Sequence, residues 1–85
     1  MKFSFDPNKN RLNLARHGLS FEDFSGFDTK PVIRVDDRVD YGETRFRGYG
    51  RIESKGYCIV FTRTPDGFRL ISFRRAHEKE MRRYE

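Results

Sequence analysis

The sequence predicts a small α+β domain in two layers, and three observations predict it. Beyond residue 31, four stretches alternate apolar and polar residues with period two, as strands do. Helix caps and stop residues bracket short segments near the start and at the end of the chain. Strand-like and helix-like segments also segregate along the sequence, which favours an antiparallel sheet packed by helices over an alternating parallel design. The predicted order is β-α-α-β-β-β-β-α, with two N-terminal helices and one C-terminal helix, in a single domain over residues 1–85.

"MKFSFDP" alternates Met1, Phe3 and Phe5 with Lys2 and Ser4, a first strand. Asp6 suits a helix N-cap, and Pro7 suits the first helical position, where an N–H would lack a partner anyway. The helix is predicted from Pro7 to about His17, with Leu12, Ala15 and Leu19 on its apolar side and Gly18 as the left-handed stop. Ser20 then caps a second, short helix, with Asp23 three residues on and Leu19 and Phe24 spaced as a hydrophobic staple. Gly26 and Pro31 break that pattern. "VIRVDD" is a short strand and "DRVDYGE" an acidic loop. "TRFRGYGRI", "YCIVFTRT" and "FRLISF" are three strands joined by the turns "ESKG" and "PDG", so they are antiparallel neighbours. Residues 75–84 form the last helix.

Hairpin arithmetic assigns faces. Ile52, Tyr57, Ile59, Phe61, Ile71 and Phe73 share one face, the bed for the helices. Arg45, Arg47, Tyr49 and Arg51 take the other, beside Val60, Thr62, Leu70 and Arg74.

A chain of 85 residues buries only about 60% of the surface its unfolded form exposes, so aromatic rings matter. Nine Phe and four Tyr supply them. The single cysteine, Cys58, excludes an internal disulfide and fits a reducing cytoplasm; among apolar neighbours it reads as a buried thiol. No stretch reads as a signal peptide or a membrane span. Charge is uneven: residues 1–43 carry seven Lys or Arg against eight Asp or Glu, residues 44–85 eleven against five. A basic half suits a polyanion or an acidic protein, and it also suits a mildly basic soluble surface.

Two constellations stand out. The first is Arg45, Arg47, Tyr49 and Arg51, three guanidiniums and a ring on one strand face. Alternate residues stand about 7 Å apart, which suits successive phosphates, and Tyr49 can stack on a base. The same stripe fits an ordinary solvated sheet face. The second is the C-terminal helix, where Ala76, His77, Glu80 and Tyr84 fall near the side of Phe73, with Arg74 and Arg75 at the entrance. His, Glu and Tyr each move protons. The same helix also fits packing by Ala and Tyr with surface pairs such as Glu78 and Arg82. His17 and His77 have no companion ligands at metal spacing, so no metal site and no cofactor is predicted.

Four stretches together resemble the BrnT toxins of bacterial type II toxin–antitoxin systems: "FSFDPNKNRLNLARHGLSFED", "DYGETRFRGYG", "RLISFRRA" and "EKEMRRYE". They cover most of the chain in order. The resemblance implies a RelE-like fold and a metal-independent RNA endonuclease that stops translation in the cytoplasm. It implies a cognate antitoxin with a DNA-binding part, so that operator DNA is reached only through the antitoxin. Arg74 and Arg75 match the family's paired arginines, and Arg63 and Arg69, flanking the PDG turn, are candidates to join them. Glu80 is the candidate base, His17 or His77 the acid, and Tyr84 belongs to the matching Glu-x-x-x-Tyr-Glu end. Arg45, Arg47, Tyr49, Arg51 and Arg69 are the RNA-binding candidates. His77 departs from the family pattern, as do Phe73 in place of a smaller residue and Phe5 in place of Trp. Two further readings stay open: a non-catalytic basic module holding RNA or an acidic protein, and a domain whose activity has been lost. The joint presence of Arg74, Arg75, Glu80 and Tyr84 favours the ribonuclease.

Overall fold

The computed structural model describes residues 3–38, 40 and 42–85. The expected roles of Met1 and Lys2 in the first strand, and of Val39 and Tyr41 in the acidic loop, lie outside the described residues. Five strands, β1 (Phe3–Phe5), β2 (Val32–Asp36), β3 (Arg45–Ile52), β4 (Lys55–Thr64) and β5 (Gly67–Arg75), make one sheet in the order β1-β5-β4-β3-β2. β2 to β5 pair antiparallel, whereas β1 lies parallel to β5, with Phe3 opposite Phe68 and Phe5 opposite Leu70.

The first helix, α1 (Pro7–His17), has the predicted ends. The Asp6 carboxylate accepts from the Asn8 N–H at 2.9 Å, and Gly18 stops the helix at φ 71°. Its packing differs from expectation. Leu12 and Ala15 are exposed, and of the three predicted apolar residues Leu19 alone packs against the core. The inward residue is Asn13. Its side-chain oxygen accepts from the Phe73 N–H at 3.0 Å, and its NH2 donates to the carbonyls of Phe73 and Leu19, both at 2.9 Å. One side-chain amide thus satisfies the backbone of β5 past the point where β1 ends, so α1 is held by polar bonds at a sheet edge rather than by an apolar stripe.

Among the described residues there are two α-helices, not three. The second predicted helix is a single 3-10 turn, Phe21–Asp23, capped by the Ser20 hydroxyl and closed by the Phe24 N–H on the Phe21 carbonyl at 3.1 Å. The last helix, α2 (Glu78–Tyr84), begins three residues later than predicted. β5 runs on because Arg75 still pairs with Tyr57 and the Ala76 N–H still donates to the Gly56 carbonyl at 3.0 Å.

The sheet is covered on both faces, so the expected single bed for all helices is also corrected. Phe21 and Phe24 of the 3-10 segment pack with Ile59, Leu70 and Phe73 on one face, where Phe24 meets Phe73 edge-on at 5.4 Å. Beneath α2 on the other face lies a smaller cluster of Tyr49, Cys58, Ala76 and Met81, with Tyr84 packed against it. Gly56 permits that contact, because a Cβ there would lie 2.4 Å from Met81 Cγ.

The predicted faces hold for Tyr57, Ile59, Phe61 and Phe73, and Leu70 and Ile71 are exchanged. A β-bulge is the reason: Val60 pairs with Ser72 but Phe61 pairs with Leu70, leaving Ile71 as an extra residue. Leu70 therefore enters the phenylalanine core fully buried, and Ile71 turns out beside Ser72.

Candidate active site

The site grows from the alternation of β3. Arg45, Arg47, Tyr49 and Arg51 do share the face opposite the main core, but they meet different surroundings. Arg51 donates to Glu78, to Glu85 and to the Ser54 carbonyl at 2.8–3.3 Å, clamping α2 to the sheet. Tyr49 is only 2% exposed and stacks on Tyr84 at 4.3 Å, so the Tyr49 ring is not open to a base in this arrangement. Burial pushes the Tyr49 phenol up to about 12.

Arg45 and Arg47 line a cleft of about 290 Å³. α1 delivers Arg16 and His17 to it, β5 delivers Ser72 and Arg74, and the end of β2 delivers Asp36 with Arg38 just beyond. Cys58, Val60 and the bulged Ile71 complete the lining. Asp36 is buried and accepts both ends of the Arg38 fork at 2.6 and 2.9 Å, which holds its carboxyl below the usual range. Arg47 offers its Nη1 to the Tyr49 hydroxyl at 3.5 Å, while its Nε is buried with no hydrogen-bond partner among the described residues. An unmet buried donor costs about 1–3 kcal/mol. His17 is partly buried, and burial, then Arg16 and Arg74, lower its pKa from the ordinary 6.5. The imidazole is therefore neutral at pH 7 and free to take a proton. Cys58 is fully buried, and burial pushes its thiol up, so it is a poor nucleophile.

Arg74 reaches the cleft on a tether. Its two Nη atoms meet the two Glu80 oxygens at 3.0 Å each, and Glu80 also accepts from the His77 N–H at 3.1 Å. The Arg74 fork pulls the Glu80 pKa from 4.5 down to about 2. Such a carboxylate is a weak base, and its geometry is that of a support for Arg74.

The remaining predicted residues lie elsewhere. Arg75 leaves the sheet on the face opposite Arg74, with its Nε on the Gly56 carbonyl at 3.2 Å and its guanidinium 5.2 Å from the Tyr57 ring. Arg63 is likewise on that face, 4.9 Å from the Phe46 ring. Arg69 pairs with Glu43 at 3.1 Å. His77 is the exposed N-cap of α2. The structure thus brings together Arg45, Arg47, Arg74 and His17, with Glu80 bonded to Arg74 and Tyr49 to Arg47, and places Arg63, Arg69, Arg75 and His77 outside the cleft. Sequence reading missed Arg16, Arg38 and Asp36. The basic pair before Gly18 was the available signal for Arg16, and nothing in an acidic run singled out Asp36. Among the described residues, no group of three or more His, Cys, Asp and Glu is placed to hold a metal ion.

A family model described as a ribonuclease toxin, BrnT, of a type II toxin–antitoxin system matches residues 5–80. The chain belongs to the BrnT toxin family. The matched span of this BrnT-family chain includes α1, all of β2 to β5 and the part of α2 that carries Glu80. A search of curated proteins gives no match. No helix among the described residues is long and apolar enough to cross a membrane.

Proposed function

We propose that the chain is a metal-independent RNA endonuclease that stops translation and that a cognate antitoxin neutralises by covering this cleft. The observation that carries the reading is the cleft itself: a neutral His17 among Arg16, Arg38, Arg45, Arg47 and Arg74. A phosphate oxygen in the cleft would meet the guanidiniums that line it. In the reaction, His17 takes the proton of the ribose 2′-OH as that oxygen attacks phosphorus. Arg45, Arg47 and Arg74 hold the charge that grows on the phosphorane oxygens. The P–O5′ bond breaks, the 5′-oxygen takes a proton from water, and a 2′,3′-cyclic phosphate remains. Glu80 keeps Arg74 aimed. Arg51 and Tyr84 act at one remove, by seating α2.

The test is cleavage of total RNA by purified protein, with and without EDTA, together with growth on expression without antitoxin. Arg47→Ala and Arg74→Ala should each lower cleavage about 10²–10³-fold, as loss of a donor to a developing oxyanion does. Arg82→Ala and Arg83→Ala, on the exposed side of α2, should remain toxic. Loss of cleavage in EDTA with recovery in Mg²⁺ would overturn metal independence. Full activity of Arg47→Ala and Arg74→Ala at unchanged melting temperature would move the site elsewhere.

A further inference from the structure

Beside the cleft lies a second cavity of about 290 Å³ that the reaction just described leaves unused. The two share Arg16, Arg45, Ile71 and Ser72, so they form one continuous groove. Lys9, Leu12 and Asn13 line the second part alone. Lys9, Leu12 and Arg16 stand at i, i+3 and i+7, on one face of α1. Leu12 is 64% exposed, so core packing does not account for it. From the sheet side, the β-bulge turns Ile71 into the same space. Cations therefore flank two apolar side chains in a trough that runs into the site of reaction.

We propose that this second cavity holds the nucleotide next to the scissile phosphate, its base against Leu12 and Ile71 and its phosphates on Arg16 and Lys9. The proposal rests on the ribonuclease reading for what reacts next door, while occupancy of the cavity by RNA does not require cleavage. Proteins that hold single strands join a cationic track to contacts with base faces, and such contacts accept every base. The trough offers the cationic track, with the aliphatic Leu12 and Ile71 in place of aromatic platforms. Its amide side chain, Asn13, is already spent on Phe73 and Leu19. Among the described residues, Ser72 is the one neutral polar side chain left in its lining, so base discrimination is weak. An acidic protein segment would also meet the cations, but continuity with the cleft favours the strand that is cut there.

The experiment uses fluorescein-labelled 2′-O-methyl oligouridylates of two and four nucleotides, which lack the attacking hydroxyl. Binding to wild type is compared with Lys9→Ala/Leu12→Ala and, separately, Ile71→Ser, all at matched melting temperature. Wild type should bind the four-mer at least about tenfold tighter than the two-mer, and the variants should lose most of that gain. Four-mers of adenylate should show a gain similar to that of uridylate. An unchanged gain in both variants overturns the subsite. Weaker binding of the antitoxin with an intact four-mer gain also overturns it, and makes the trough a protein surface. A wild type that shows the gain but cuts no unmodified RNA leaves the subsite standing and removes the ribonuclease reading.

Discussion

At the scale of single residues, the site turns on which groups are spent and which are free. His17 is free and neutral, because burial and two neighbouring cations resist its protonation. A base of this kind makes kcat/KM rise with pH and level off above its pKa. The acid limb should therefore inflect below 6.5, and His17→Ala should abolish it; an inflection at or above the ordinary histidine value would remove His17 as the base. Glu80 is spent. Its folded pKa of about 2 lies below its ordinary 4.5, so its contribution to stability is full above 4.5 and is lost as pH falls toward 2. Glu80→Gln should cost no more than about 2 kcal/mol at pH 7 after allowance for solvent screening, and only a small fraction of that at pH 2. Urea denaturation across that window checks the sign. A penalty that grew on acidification would break the account of the Arg74 pair.

At the scale of elements, capping and turn chemistry were legible, and packing was less so. Asp6, Pro7 and Gly18 mark α1 in the sequence because each answers a local backbone need. Asn13 does not announce itself, since its partner Phe73 is sixty residues away. The arginine stripe on β3 followed from period two, yet alternation cannot reveal that Tyr49 lies under α2. The exchange of Leu70 and Ile71 has the same origin: a bulge inserts one residue into a pattern that counts in twos. Gly56 looked like turn punctuation and proves to be a contact, the place where Met81 of α2 meets β4. Gly56→Ala should therefore lift α2 without disturbing the phenylalanine core on the other face. The expected signature is loss of amide protection in residues 78–84 and greater Tyr84 exposure, with protection of β1 and of Leu70 and Phe73 in β5 retained. Uniform loss across the sheet would mean that α2 and the core fold as one unit.

At the scale of the whole molecule, the sheet divides labour between its faces. One face carries the phenylalanine core, and the other carries the cleft whose cations a polyanion needs. RNA affinity should fall linearly on a log–log salt plot, with a slope of about 0.7 per phosphate contacted. Arg45→Glu with Arg47→Glu should flatten that slope and also weaken the antitoxin complex at low salt; an unaltered slope would place the RNA elsewhere. The parallel pairing of β1 with β5 has a consequence for timing. β5 joins β1, β4 and, through Phe73, α1, and it also supplies Ser72 and Arg74 to the cleft. Chains leave the ribosome in sequence order. Until residues 67–75 have emerged, Arg16 and His17 have no facing wall, and the four strands already made have no cleft to offer. If the cleft cuts RNA as proposed, a nascent chain cannot yet do so, and the interval before β5 docks would let an antitoxin meet the protein before it is armed.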